Sequence, residues 1–93
     1  MKILHYAVRA LVPADGFTIS MPEDALILCV VTRDGELELC VQIDPNREYE
    51  ERNFRIYGQG YTIDDIEYHT YVGSYTQIYE GLTWHLYERT ARV

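Results

Sequence analysis

The sequence predicts an all-β fold: a small antiparallel sandwich or open barrel of about six to seven strands, with at most one short helical turn. Apolar residues mostly alternate with polar ones, which is the period of a β-strand. Turn signals recur about every ten residues, as they do in sandwiches and small barrels. No segment carries the long apolar stripe of an amphipathic helix.

Turn residues divide the chain into segments. Pro13–Gly16 is a turn cluster, Pro22 ends a strand because proline cannot donate a ladder hydrogen bond, and the polar stretch Asp44–Asn53 is predicted to be a loop. The helical turn is predicted to start at Thr62, with Asp65 three residues on. We predict strands at about Lys2–Val12, Phe17–Ser20, Ala25–Arg33, Glu36–Ile43, Phe54–Gly58, Tyr68–Ile78 and Leu82–Glu88.

Asp34-Gly35 is a strong signal for a two-residue hairpin turn. Such a turn pairs Arg33 with Glu36 and therefore fixes the register of the two strands that it joins. One face of the hairpin is then apolar and is expected to cover the core, with Leu26, Leu28, Val30 and Thr32 opposite Ile43, Val41, Leu39 and Leu37.

The same register places the only two cysteines, Cys29 and Cys40, directly opposite each other. We expect two free thiols, because opposed cysteines at a hydrogen-bonded position form a strained disulfide and a cytoplasm is reducing. A redox switch is the alternative. A zinc site is disfavoured because no C-x-x-C motif is present.

The length and net charge of the chain limit how many domains it can form and which partners it can bind. The chain has 93 residues and is predicted to form one domain over residues 1–93, with 89–93 as a tail. Its formal net charge of −7 argues against direct nucleic-acid binding and against a polybasic membrane contact. The longest apolar run, Ala25–Val31, is too short to span a bilayer, and the N-terminus lacks the pattern of a signal peptide. We therefore expect a cytoplasmic protein.

Tyrosine is the most over-represented residue. The chain has nine tyrosines, and eight of them lie between Tyr49 and Tyr87. Tyrosine suits interfaces because it joins a large apolar ring to a polar tip, although half-buried packing in a small sheet is the simpler alternative. The predicted interaction surface consists of Tyr49, Tyr68, Tyr71, Tyr75 and Tyr79.

A ligand site is a second hypothesis. Guanidinium groups pair with phosphates, tyrosine rings stack on bases, and a Gly-x-Gly bend exposes backbone N–H groups. A phosphate-bearing aromatic ligand would be held by Arg55, Tyr57, Gly58, Gly60 and Tyr61. A lone Gly-x-Gly in a β-protein is otherwise a bend or bulge.

A metal or acid–base site is a third, weaker hypothesis. Asp65, Glu67 and His69 would share a face if their segment were extended, and these residue types bind divalent metals or transfer protons. Their spacing matches no established motif, so a solvated acidic loop is the alternative. No other catalytic residue and no cofactor is predicted.

Several spaced motifs resemble a known family. They are Ile19–Pro22 before the third strand, then Phe54–Asp65, Tyr71–Tyr75 and Leu82–Glu88. Together they resemble a family of small proteins of unknown function from tailed bacteriophages and prophages, and the resemblance covers nearly the whole chain. It implies an accessory protein that acts in the host bacterial cytoplasm, in host takeover or anti-defence. It carries over no catalytic residue.

Three function hypotheses follow. The first is a non-enzymatic protein that binds a host bacterial protein, and the second is an oligomeric sponge that sequesters a signalling nucleotide. The third is a small metal-dependent enzyme, and a structural or virion-associated role stays open. We expect a homo-oligomer, most simply a dimer, because a small sheet must cover its edges.

Overall fold

The computed structural model describes residues 1–8, 16–58, 60–76 and 81–90. Its strands form two antiparallel sheets, which confirms the all-β prediction of a small sandwich that is not a closed barrel. The three-stranded sheet has the order β1-β4-β3, and the four-stranded sheet has the order β2-β5-β7-β6. The strands are β1 (Lys2–Val8), β2 (Phe17–Pro22), β3 (Leu26–Arg33), β4 (Glu36–Ile43), β5 (Tyr49–Gly58), β6 (His69–Thr76) and β7 (Thr83–Arg89).

The β3–β4 hairpin has the predicted turn. Asp34 and Gly35 have φ values of 51° and 81°, which identifies a type I′ turn because both central residues have positive φ. Arg33 pairs with Glu36 and Cys29 with Cys40, as predicted. The turn residues therefore fix the register over this part of the hairpin.

A β-bulge at Leu28 changes the rest of β3. The register shifts between Ile27 and Cys29, so Ile27 pairs with Val41. The prediction that Leu26 and Leu28 face the core is therefore wrong: Leu26 is 56% exposed and Leu28 is 44% exposed. An extra residue in one strand reverses the alternation of side chains beyond it, and Ile27 takes the core position instead.

Strand β5 begins five residues earlier than the sequence predicted. Tyr49–Gly58 is one strand, so the predicted loop at Asp44–Asn53 is wrong for its second half. The polar part of this strand, Tyr49–Asn53, pairs with β2 from Pro22 to Thr18. Pro22 is tolerated because β2 is an edge strand, where a residue without an N–H donor does not interrupt the hydrogen bonds between inner strands.

An inward-pointing arginine accounts for part of that polar strand. Arg52 forms two parallel hydrogen bonds with Glu88 of β7, Nε to Oε2 at 2.5 Å and Nη2 to Oε1 at 2.6 Å. Its Nη1 also donates to the backbone carbonyl of Ala25 at 2.5 Å. The hydrogen bond to Glu88 raises the pKa of Arg52 above its usual value. Arg52 therefore joins β5 and β7 to the chain that precedes β3.

The helical turn and the C-terminal strand differ from prediction in their bounds. A single 3-10 turn covers Ile66–Tyr68, so it begins after Asp65 rather than at Thr62. Arg89 belongs to β7, so the predicted tail is wrong at that residue. Parts of four predicted elements lie outside the described residues: strand residues 9–12 and 77–78, turn residues 13–15 and tail residues 91–93.

The core lies between the two sheets. Leu39 and Val41 are fully buried, as predicted, and Trp84 packs against the core cluster. Sheet packing is close at Gly73, where a Cβ atom would lie 2.7 Å from Val30 Cγ2. The core residues are Val8, Met21, Ala25, Leu37, Leu39, Val41, Ile43, Phe54, Ile56 and Leu86.

Besides Pro22, two further buried side chains of the described residues do not belong to that core. Cys40 and Tyr57 are each 7% exposed but lie outside the core cluster. Side chains alternate along a strand, so each points to the outer face of its own sheet. The outer faces therefore carry a covered thiol and a covered phenol. None of the helical residues in the described ranges forms a segment long and apolar enough to cross a membrane.

Candidate functional site

The outer face of the four-stranded sheet carries a contiguous group of rings. Strand pairing sets Tyr57 of β5 opposite His85 of β7, and Tyr87 of β7 opposite Tyr71 of β6. His69, the first residue of β6, lies at one end of this group. We call these five residues the aromatic face: Tyr57, His69, Tyr71, His85 and Tyr87.

The rings contact one another, edge to face except in the pair of Tyr71 and His85, which is tilted. The ring centroids of Tyr71 and Tyr87 are 5.2 Å apart, and those of Tyr57 and Tyr87 are 5.6 Å apart, with interplanar angles of 74° and 77°. His69 lies 5.9 Å from Tyr57, and His85 lies 6.0 Å from Tyr71. Such pairs stabilise by about 0.5–1.5 kcal/mol each beyond the area that they bury, so the face is pre-ordered.

Hydrogen bonds fix the orientation of the two histidines. His69 Nδ1 lies 2.8 Å from the backbone carbonyl of Asp65, to which it donates, and its Nε2 then accepts from the Tyr57 hydroxyl at 3.3 Å. The Tyr71 hydroxyl lies 3.3 Å from His85 Nδ1. Tyr71 is 51% exposed, so its ring remains open to a partner.

Two arginines flank the aromatic face. Arg55 pairs with Tyr87 across β5 and β7, and Arg89 pairs with His69 across β7 and β6. Neither forms an ion pair with any residue in the described part of the chain. Both guanidinium groups can therefore receive a carboxylate or phosphate from outside the domain.

The structure divides the five residues of the predicted ligand site. Arg55 and Tyr57 lie on the outer face of the sheet. Gly58 pairs with Trp84, whose side chain packs against the core. A Cβ atom on Gly58 would lie 2.9 Å from Trp84 and 3.1 Å from Tyr61. Tyr61 itself packs edge-on against Trp84, and Gly60 is exposed. The bend around Gly58 therefore serves close packing on Trp84, and the five residues do not form one site.

The predicted tyrosine surface is likewise divided: of its four members that the structure describes, only Tyr71 joins the aromatic face. Tyr49 is 59% exposed at the start of β5, and Tyr68 lies in the 3-10 turn. Tyr75 pairs with Trp84 and packs against the core, where burial raises the pKa of its phenol. Tyr79 lies outside the described residues.

The geometry assumed for the metal hypothesis is wrong. Asp65, Glu67 and His69 were expected to share a face of an extended segment, but the 3-10 turn lies between Asp65 and His69. Both ring nitrogens of His69 are engaged within the protein. Among the described residues, no group of three or more His, Cys, Asp or Glu side chains is placed to hold a metal ion.

Sequence reasoning missed His85 and Tyr87 as members of this surface. Along β7, Leu86 belongs to the core cluster and Trp84 packs against it. The alternation of β7 then places His85 and Tyr87 on the opposite, outer face. The alternating pattern of β7 is visible in the sequence. It identifies a shared aromatic surface only when β7 is known to lie between β5 and β6.

Comparison with other proteins places the chain in a family. No curated protein and no solved structure matches it. A family model described as a domain of unknown function, DUF7352, matches residues 1–93. That match spans all 93 residues of the sequence. The chain belongs to the DUF7352 family.

Proposed function

We propose that this domain is a non-enzymatic binding module whose aromatic face receives a partner protein. The observation that carries the proposal is that five aromatic rings contact one another on an outer sheet face, rather than in the core. Tyrosine is enriched at the centres of protein interfaces, where it contributes a large rigid contact area.

The charge around the aromatic face supports a partner surface that carries carboxylates. Arg55 and Arg89 flank the rings and have no ion-pair partner among the described residues. The chain as a whole has a net charge of −7, so this face differs in sign from the protein average. A partner segment with exposed carboxylates next to an apolar or aromatic side chain would complement it.

The biological setting that we propose is a bacteriophage accessory role, in host takeover or anti-defence. Its support is the sequence resemblance described above. The partner would then be a host bacterial protein met in the host cytoplasm, and the domain would act by covering it. Self-association as a dimer is part of the same proposal, since each of the two open sheets ends in edge strands that can pair with a second copy.

A signalling nucleotide is the competing ligand. The observation that favours it is Arg55 directly opposite Tyr87, since a guanidinium beside a ring can pair with a phosphate while the ring stacks on a base. Against it, the bend at Gly58 lies against Trp84 and not beside Arg55. We therefore rank the protein partner first.

Affinity capture with a matched pair of variants tests the proposal. Tyr71→Ala removes a ring from the aromatic face, and Tyr49→Ala removes a comparably exposed ring at the start of β5, eight residues before Tyr57 of that face. Tagged wild type and both variants are expressed in bacteria, captured and compared by quantitative mass spectrometry. Arg55→Ala serves as a second variant of the face.

The outcomes separate the alternatives. We expect a protein that co-purifies with wild type and with Tyr49→Ala, and that is depleted at least tenfold with Tyr71→Ala, a loss of about 1.4 kcal/mol. Equal recovery with Tyr71→Ala and Tyr49→Ala contradicts the proposal. A nucleotide that raises the melting temperature of wild type but not of Arg55→Ala supports the sponge instead.

A further inference from the structure

A second constellation lies on the outer face of the three-stranded sheet. Strand pairing sets His5 of β1 opposite Cys40 of β4, and Cys40 opposite Cys29 of β3. The three side chains therefore form a row across all three strands. Glu38, two residues before Cys40 on β4, points to the same face.

Hydrogen bonds connect this row. Cys40 Sγ lies 3.5 Å from His5 Nε2, and His5 Nδ1 lies 3.1 Å from Glu38 Oε1. Arg33 Nε lies 3.5 Å from the same carboxylate oxygen. A thiol beside an imidazole whose other nitrogen is held by a carboxylate has the arrangement that allows a base to remove the thiol proton.

The two thiols differ in access. Cys29 is exposed, whereas Cys40 is 7% exposed and lies beneath its neighbours. Burial, and then a hydrogen bond with Cys29, raise the pKa of the Cys40 thiol. Cys40 is therefore a protonated thiol at neutral pH, and an incoming reagent reaches Cys29 first.

The backbone places the two sulfur atoms within reach of a bond. Directly opposed residues of an antiparallel pair have Cα atoms about 4.5–5.5 Å apart, within the range of about 4.4–6.8 Å that a disulfide spans. The bulge at Leu28 adjoins Cys29 and locally interrupts the ladder, which gives this strand freedom to adjust. A cross-strand disulfide here retains strain, which makes it easy to reduce.

We propose that Cys29, Cys40, His5 and Glu38 form a thiol–disulfide exchange site that takes low-molecular-weight disulfides. The Cys29 thiolate attacks one sulfur of the small disulfide, forms a mixed disulfide and releases one thiolate, which takes up a proton. His5 Nε2 then removes the proton of Cys40, and the Cys40 thiolate attacks the Cys29 sulfur. The second small thiolate leaves with a proton, so the protein dithiol is oxidised as one small disulfide is reduced to two thiols.

Each residue has a distinct task in this sequence. Cys29 is the exposed attacking thiol and Cys40 is the resolving thiol. His5 is the base, and Glu38 orients its ring and stabilises the imidazolium that forms. The site is independent of the aromatic face, because it lies on the other sheet.

Intact-mass spectrometry of the full chain, incubated with oxidised glutathione at neutral pH, follows the exchange. We expect wild type to pass through a glutathione adduct to a species lighter than the starting protein by two hydrogens. Cys40→Ser should stop at the adduct, and Cys29→Ser should react at least tenfold more slowly than wild type. His5→Gln should form the adduct at the wild-type rate but resolve it at least tenfold more slowly.

Glu36→Gln, which alters an exposed carboxylate at the start of β4, is the matched control and should resolve the adduct like wild type. A wild-type protein that stops at the adduct overturns the proposal, and so does a protein whose cysteines do not react. Unchanged resolution in His5→Gln removes His5 and Glu38 from the site. Circular dichroism of each variant identifies any loss of fold, and Glu38→Gln repeats the test of the base without touching His5 or either cysteine.

Discussion

Replacing Glu88 with glutamine should destabilise the fold far more than breaking an ion pair at the surface. The Glu88 carboxylate receives two hydrogen bonds from Arg52, at 2.5 and 2.6 Å, and each of these side chains is only 19% exposed. Glutamine keeps the shape of the side chain but removes its charge. It also places an NH₂ group against a guanidinium, so two donors face each other.

The expected magnitude follows from the exposure of the pair. Exposed ion pairs contribute about 0–1 kcal/mol, whereas removal of one partner from a fully buried pair costs about 3–5 kcal/mol. Arg52 retains some contact with water and keeps its hydrogen bond to Ala25. We therefore expect a loss of about 2 kcal/mol in the free energy of unfolding, which in a domain of this size lowers the melting temperature by about 10 °C.

Urea denaturation of wild type, Glu88→Gln and a surface control measures this difference. In the control pair, Arg47 Nη1 lies 3.3 Å from Asp24 Oδ2, and the two side chains are 52% and 79% exposed. Asp24→Asn suits the positive φ of that position and should cost less than about 1 kcal/mol. If Glu88→Gln costs no more than Asp24→Asn, then Arg52 does not stabilise the sheet as described.

Three further predictions concern packing and alkaline stability. Leu39→Ala should lower the free energy of unfolding by about 2–5 kcal/mol because Leu39 is fully buried. Leu28→Ala should lower it by less than about 1 kcal/mol because the bulge exposes Leu28. Equal losses in urea denaturation would contradict the bulge. Gly73→Ala should lower the free energy of unfolding by about 1–3 kcal/mol, because the added methyl group overpacks against Val30. A second substitution, Val30→Ala, should recover part of that loss. Losses that simply add in the double variant would argue against the contact. Burial raises the pKa of Tyr75 in the folded protein above its value in the unfolded chain. The contribution of Tyr75 to stability is therefore fully present below about pH 10, and it is lost as the pH rises through the pKa of the folded protein. Tyr75→Phe should therefore lose less stability than wild type between about pH 8 and pH 11, and identical pH profiles would refute the assignment.

The hairpin shows how far the sequence predicts this fold. Asp34-Gly35 specifies a turn type, and the turn type fixes the pairing of Arg33 with Glu36 and of Cys29 with Cys40. The bulge at Leu28 was not predictable in the same way. Leu26–Val31 is apolar at every position, so no change in alternation marks the extra residue.

Strand β5 was only half predicted because its polar residues find partners that are distant in sequence. Arg52 can lie within a strand and point inward because Glu88 neutralises it across the sheet. No local propensity expresses that pairing, and the segment that includes Glu50 and Glu51 is typical of a loop. The ion pair between Arg52 and Glu88, which are distant in sequence, therefore stabilises this segment as a strand.

The candidate site depended on strand order, which sequence patterns do not give. Tyr57 and Tyr71 were both singled out, but for different sites. They share one face because β7 lies between β5 and β6 and presents Tyr87 to both rings. The row of His5, Cys40 and Cys29 likewise required β1 to lie beside β4, and only the pairing of the two cysteines followed from the hairpin.

Site-specific photo-crosslinking in living bacteria tests the proposed recognition surface most directly. A benzophenone amino acid replaces Tyr71 on the aromatic face in one protein and Tyr49 in another, since both positions are exposed tyrosines but only the first belongs to that face. We expect irradiation to yield a discrete crosslinked partner protein from position 71, and a much weaker yield of it, or none, from position 49. Equal crosslinking of the same partner from both positions, or from position 49 alone, would contradict the assignment of the aromatic face as the binding surface.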